Sequence, residues 1–67
     1  MTALTLKINL EEGTMRDGFN LADALERVAE RIRPVYDLPK HIEEGGEIYG
    51  RVFDDEGQPV GRWEVEA

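Results

Sequence analysis

The sequence predicts a small α+β domain with the element order β-α-β-β, in which one amphipathic helix packs on a three-stranded, mainly antiparallel sheet. Three observations lead to this class: alternating apolar residues near the N-terminus, a helical stripe in the middle of the chain, and two strand-like segments joined by a glycine turn near the C-terminus. A chain of 67 residues is expected to form one domain, 1–67.

The first strand opens the chain. Leu4, Leu6, Ile8 and Leu10 alternate with polar residues, which is the period-2 pattern of a strand with one face on a core. The segment that follows, Glu11–Phe19, contains glycines and has no periodicity, so we expect it to be a loop.

The helix is predicted over Asn20–Arg33. Asn20 is a favourable N-cap, because its side chain can accept a hydrogen bond from the first turn. Pro34 ends the helix at Arg33 or one residue earlier, because proline disfavours helical geometry at the residue before it. The apolar stripe that needs a partner surface consists of Leu21, Leu25, Val28, Ala29 and Ile32.

An irregular connection is predicted from Pro34 to Gly46, with two prolines and a closing Gly-Gly. It is too apolar for a free linker, so we expect it to pack along the edge of the core. Its apolar residues are Val35, Tyr36, Leu38 and Ile42. We expect His41 to be solvated or locally hydrogen-bonded rather than a metal ligand, since it is the single histidine of a chain without cysteine.

A β-hairpin is predicted from the strands Glu47–Asp54 and Pro59–Glu66. Between them, Asp54 or Asp55 opens a type I turn, and Gly57 takes the positive φ that closes it. The first strand lies either beside the third, in an all-antiparallel sheet, or beside the second, in parallel. We prefer the antiparallel order because such a sheet tolerates one solvated face.

The register of the second strand has two possibilities. The preferred one places these residues on the helix-facing side: Leu4, Leu6, Ile8, Leu10, Ile48, Val52, Trp63 and Val65. The reversed register would bury Tyr49 and Phe53 and expose Ile48 and Val52 instead.

One helix leaves the other sheet face uncovered. In the preferred register that face carries aromatic residues, arginines and Val60, and the cores of protein interfaces are enriched in Tyr, Phe and Arg. A second copy would add the apolar burial that a short chain lacks, so a homodimer is expected. The interface candidates are Tyr49, Arg51, Phe53 and Arg62.

The charge is strongly acidic, with 15 acidic and 8 basic residues and a net charge of −7. From Asp37 onward there are nine acids and three bases, a net charge of −6. This imbalance argues against direct binding of nucleic acid, and it favours a basic protein partner or serves solubility alone. The candidate partner-binding acids are Glu43, Glu44, Glu47, Asp54, Asp55, Glu56 and Glu64.

Catalysis is not expected. The chain has neither cysteine nor serine, and its clustered carboxylates fall in turns where no pocket is evident. We therefore predict no catalytic residue, no metal site and no cofactor. No apolar run approaches the roughly 18 residues of a membrane span, so we expect a cytoplasmic protein with no membrane partner.

The C-terminal run GRVFDDEGQPVGRWEVE resembles small uncharacterised proteins of phages and other mobile elements. Their chains end in a hairpin of the form D-x-x-G-x-x-V-G-x-W, met here by Asp54, Gly57, Val60, Gly61 and Trp63. The resemblance implies a phage accessory protein, a class that includes inhibitors of host defence enzymes, some of them acidic nucleic-acid mimics. It implies no catalytic residue, because none is assigned in that group.

Two functional hypotheses follow. The first is a non-enzymatic acidic interaction module, encoded by a phage, that inhibits or modulates a basic nucleic-acid-handling host protein. The alternative is a structural or assembly module that acts as a homodimer through the uncovered sheet face.

Overall fold

A computed structural model describes residues 1–11 and 13–67, and Glu12 of the predicted loop lies outside them. The elements are β1 (Ala3–Ile8), a 3-10 helix (Gly13–Arg16), α1 (Gly18–Ile32), α2 (Leu38–Glu43), β2 (Ile48–Phe53) and β3 (Pro59–Glu66). The strands form one sheet in the order β1-β3-β2, with both pairings antiparallel. The predicted α+β class, the β-α-β-β outline and the preferred strand order are confirmed.

Helix α1 begins earlier than predicted, and Asn20 as its N-cap was wrong. The cap is Asp17, whose carboxylate accepts a hydrogen bond from the Phe19 backbone N–H at 2.8 Å. Asn20 already lies inside the helix, and its side-chain amide donates to the Thr14 carbonyl oxygen at 3.3 Å. Asp17 can cap because its backbone is extended, at φ −90° and ψ 125°, the geometry that N-cap residues adopt.

The end of α1 is as predicted, with Ile32 as the last helical residue before Pro34. The connection after it is not irregular throughout, because it contains α2. Asp37 caps this short helix by accepting from the Lys40 backbone N–H at 3.1 Å, and Pro39 sits in the first turn, where no N–H donor is needed. Six residues are too few to show a helical period, which is why the pattern did not reveal α2.

The core lies between the helices and one face of the sheet, with α1 over β2 and α2 against β3. Its buried residues are Met15, Ala24, Val28, Ile48, Val52, Val60, Trp63 and Val65. The preferred register of β2 is therefore confirmed. Val35, Leu38 and Ile42 pack against this core as expected, whereas Tyr36 is fully exposed.

Strand β1 is less covered than predicted. Leu4 and Leu6 pair with Val65 and Trp63, so they point to the helix side, yet they are 52% and 37% exposed. The helices lie over the other two strands and leave this edge open. Leu10 falls beyond the end of β1 and is also exposed, so its predicted place in the core was wrong.

A β-bulge changes the side of the sheet on which Val60 lies. Val52 pairs with Gly61 but Phe53 pairs with Pro59, so Val60 has no partner on β2. An extra residue of this kind interrupts the alternation of side chains. Val60 is consequently buried, and its predicted place on the uncovered face was wrong.

Candidate functional site

The sheet face that points away from α1 and α2 is the open face. Residues that pair across antiparallel strands point to the same side, so the register arranges its side chains in rows. All of its charged and aromatic side chains are exposed. They are Lys7, Tyr49, Arg51, Phe53, Arg62, Glu64 and Glu66.

Three positive charges lie side by side in one row. Lys7 pairs with Arg62 on one side, and Arg51 pairs with Arg62 on the other. We call Lys7, Arg62 and Arg51 the cation row. Like charges directly opposite each other on neighbouring strands destabilise a sheet.

No acid offsets the cation row within the part of the chain that the structure describes. The ion pairs there join Arg33 to Glu30 at 2.8 Å and Lys40 to Glu44 at 4.0 Å. Both pairs lie at the C-terminal ends of helices and are exposed to solvent. Among the described residues, none of the three cations of the row forms an ion pair.

The next row toward the other end of the strands is different in character. Thr5 pairs with Glu64, and Glu64 pairs with Tyr49; we call these three residues the middle row. Beyond it lies Glu66, paired with Ala3. Positive charge is thus concentrated toward the hairpin end of the open face and negative charge toward the opposite end.

Two aromatic side chains flank the arginine of β2. Tyr49 is 63% exposed and Phe53 is 45% exposed, with Arg51 between them on the same face. A groove of ≈ 660 Å³ is lined by these residues and by Arg62 and Glu64, and Arg31 of α1 also lines it. The open face therefore combines large apolar surface with charges that could be paired by a partner.

Trp63 packs against the opposite side of β2. Its indole lies across Gly50, where an added Cβ would come within 2.8 Å of the indole Nε1. Glycine is needed at this position because any side chain would displace the ring. The strand that carries the exposed aromatic residues is therefore anchored from behind by the core.

The predicted acidic surface is divided between two ends of the molecule. Glu43 ends α2, Glu44 is its C-cap and Glu47 precedes β2, whereas Asp54, Asp55 and Glu56 follow β2 in the hairpin turn. A strand of six residues separates the two groups by roughly 20 Å. Glu64 belongs to neither group, because it lies on the open face.

Asp54 is committed to the turn. It is 5% exposed, and its Oδ1 accepts from the backbone N–H groups of Glu56 and Gln58 at 2.9 and 2.8 Å. Gly57 takes a φ of +82°, so the predicted hairpin turn is confirmed with Asp54 at its start. Asp55 accepts from the Thr14 hydroxyl, which ties the turn to the 3-10 helix.

Sequence reasoning missed Lys7 as a member of the site. The period-2 pattern already placed it opposite Leu6 and Ile8, and therefore on the uncovered face. Only the register with β3 brings it next to Arg62.

Residues 1–11 and 13–67 contain no group of three His, Asp or Glu side chains that could hold a metal ion. Among the helices in those two ranges, none has the length and apolar character needed to cross a membrane. No family model, curated protein or solved structure matches this chain.

Proposed function

We propose that this chain is a non-enzymatic structural or assembly module that acts as a homodimer through its open face. The observation that supports this proposal is an uncovered sheet face with exposed Tyr49 and Phe53 beside Arg51 and Arg62. Such residues are enriched at the centres of protein interfaces. A small domain leaves a large fraction of its surface in water, and a second copy placed on this face would remove part of it.

The expected dimer is small and of modest affinity. The open face is built from half of the residues of three strands, six to eight residues long. A standard interface uses roughly 20–30 residues on each side, and smaller ones belong to weak or transient complexes. We therefore expect a dissociation constant in the micromolar range.

Light scattering of the 7.6 kDa chain tests the proposal. The wild type should approach twice that mass at high micromolar concentration, at both low and high salt. Phe53→Glu places a charge in the apolar part of the open face, and it should leave a monomer. Phe19→Glu is the matched control, because Phe19 is 74% exposed on α1 and away from the sheet; it should dimerise like the wild type.

A wild type that stays monomeric at every concentration and both salt levels overturns this proposal. A dimer that persists in Phe53→Glu but dissociates in Phe19→Glu would show that the interface lies on α1 and not on the open face.

A second candidate is a phage-encoded inhibitor or modulator of a basic nucleic-acid-handling protein. The net charge of −7 and the exposed carboxylates of Glu43, Glu44 and Glu47 favour it. Clustered carboxylates can replace phosphates in contacts with Lys and Arg, and such contacts weaken as salt rises. The role of this acidic end is separable from the dimer, because it lies outside the open face.

Displacement of a labelled DNA duplex from basic DNA-binding proteins tests this second candidate. The wild type should displace the duplex at low salt and lose this effect at high salt. Changing Glu43, Glu44 and Glu47 together to Gln should abolish displacement, while the same change at Glu30 should not. Displacement that is the same at low and high salt would contradict the proposal that the carboxylates replace phosphates.

A further inference from the structure

We infer that the two copies dock open face to open face with their strands antiparallel, so that Arg62 of each protomer pairs with Glu64 of the partner subunit. In the same arrangement Arg51 lies against Tyr49 of the partner subunit. This inference rests on the proposed homodimer and adds to it the register of the two faces and the chemistry by which one copy recognises another.

Positive and negative charges are separated along the open face. The cation row holds Lys7, Arg62 and Arg51, and the adjacent middle row holds Glu64. Neighbouring rows are roughly 6.8 Å apart, because they are two residues apart along each strand. The face is therefore electrically polar along the strand direction.

A dimer made of two identical faces is symmetric. Its two-fold axis must lie parallel to the sheets, and contacts must be reciprocal. An axis along the strands would place Arg62 on Arg62 of the partner subunit, which sets one cation row against another. An axis across the strands reverses their direction and brings positive ends to negative ends. Charge complementarity selects the second arrangement.

The position of that axis along the strands decides which residues meet. An axis between the cation row and the middle row pairs Arg62 with Glu64 of the partner subunit twice and superimposes the full length of both faces. An axis through the middle row would instead oppose Glu64 to Glu64 of the partner subunit. The first position avoids like charges at the centre and buries the larger area.

The proposed pairs have suitable geometry. β3 is the central strand, so Arg62 and Glu64 stand at the centre of the face, where interface contacts are best shielded from water. Packed sheets are about 10 Å apart, a gap that an arginine and a glutamate can span together. Arginine also binds carboxylates through two parallel hydrogen bonds. Arg51 over the Tyr49 ring of the partner subunit would add a cation–π contact.

Charge reversal tests this register. Arg62→Glu and Glu64→Arg should each weaken dimerisation at least tenfold, because each places like charges at both central pairs. The double variant R62E/E64R should dimerise again, because both pairs regain opposite charges. Mixing the two single variants should produce a heterodimer, since each reversed charge then meets its complement. Light scattering measures all four samples, and circular dichroism confirms that the single variants are folded.

The outcomes separate the two proposals. If Phe53→Glu abolishes the dimer but Arg62→Glu leaves its dissociation constant unchanged, the register is wrong while the homodimer stands. Single variants that dissociate without recovering on mixing would also overturn the register. A monomeric wild type overturns both, and binding of a labelled oligo(dT) strand by that monomer would assign the cation row to a nucleic acid instead.

Discussion

The two faces of the same sheet have opposite characters. On β2, Ile48 and Val52 are buried under α1, whereas Tyr49 and Phe53 alternate with them and remain in solvent. The covered face contains apolar side chains packed around a nearly inaccessible Trp63, and the open face carries the cation row, which forms no ion pair within residues 1–11 and 13–67. One face therefore holds the fold together, and the other is exposed to solvent.

The difference arises from how few elements the chain can fold over its sheet. The helices cover β2 and β3 on one side only, and even there they leave Leu4 and Leu6 of β1 partly exposed. In residues 1–11 and 13–67, both α-helices lie on the same side of the sheet. Residues on the two faces should therefore respond differently to the same kind of substitution.

The largest contrast is expected between Trp63→Ala and Tyr49→Ala. Trp63 is 3% exposed, and removing a buried aromatic side chain costs about 3–5 kcal/mol, enough to unfold much of a small domain. Tyr49 is exposed on the open face, where we expect the substitution to change the free energy of unfolding by no more than about 0.5 kcal/mol. Urea unfolding followed by circular dichroism at low protein concentration measures both. Similar losses in the two variants would contradict the division between the faces.

A smaller loss of stability is expected when the hairpin turn next to the bulge is changed. Asp54→Ala leaves the backbone N–H groups of Glu56 and Gln58 without their acceptor, which should cost about 1–3 kcal/mol of unfolding free energy. Asp55→Ala is the matched control, because Asp55 is exposed and its loss should cost at most about 1 kcal/mol.

The same turn lies next to the bulge that carries Val60. Asp54→Ala should loosen this turn and increase the exposure of Val60. Amide hydrogen exchange in the hairpin should therefore be faster in Asp54→Ala than in the wild type. Equal exchange in the Asp54 and Asp55 variants would show that the buried carboxylate does not hold the bulge.

The smallest effect is expected on the open face itself. Arg62→Thr removes both like-charge contacts of the cation row and introduces a residue that favours strands, so the monomer should gain a few tenths of a kcal/mol. Arg16→Thr makes the same change in net charge away from the sheet and should give no such gain. Urea unfolding at low protein concentration and low salt measures the difference, which should shrink as salt is added. A loss of stability in Arg62→Thr would mean that the row is compensated within one protomer.

Local patterns predicted much of the fold. Alternation placed Ile48, Val52, Trp63 and Val65 on one side of the sheet, and the glycine turn predicted the hairpin. The misses have a common cause. Met15 stands in a segment without periodicity, yet it is almost inaccessible to solvent. It is buried because the 3-10 helix packs against α1. The acids of 43–47 and 54–56 are near in sequence, yet a strand holds them apart.

By itself, the sequence determined the class of the fold, the hairpin and the face on which most strand residues lie, because alternation and helical periodicity are local properties of neighbouring residues. Only the tertiary structure decided that Lys7 stands beside Arg62 and that a bulge turns Val60 inward. The place of Lys7 depends on the register between strands from the two ends of the chain, and the place of Val60 depends on the register within the hairpin. Register is set by how a whole sheet packs under its helices, and no short stretch of sequence contains it.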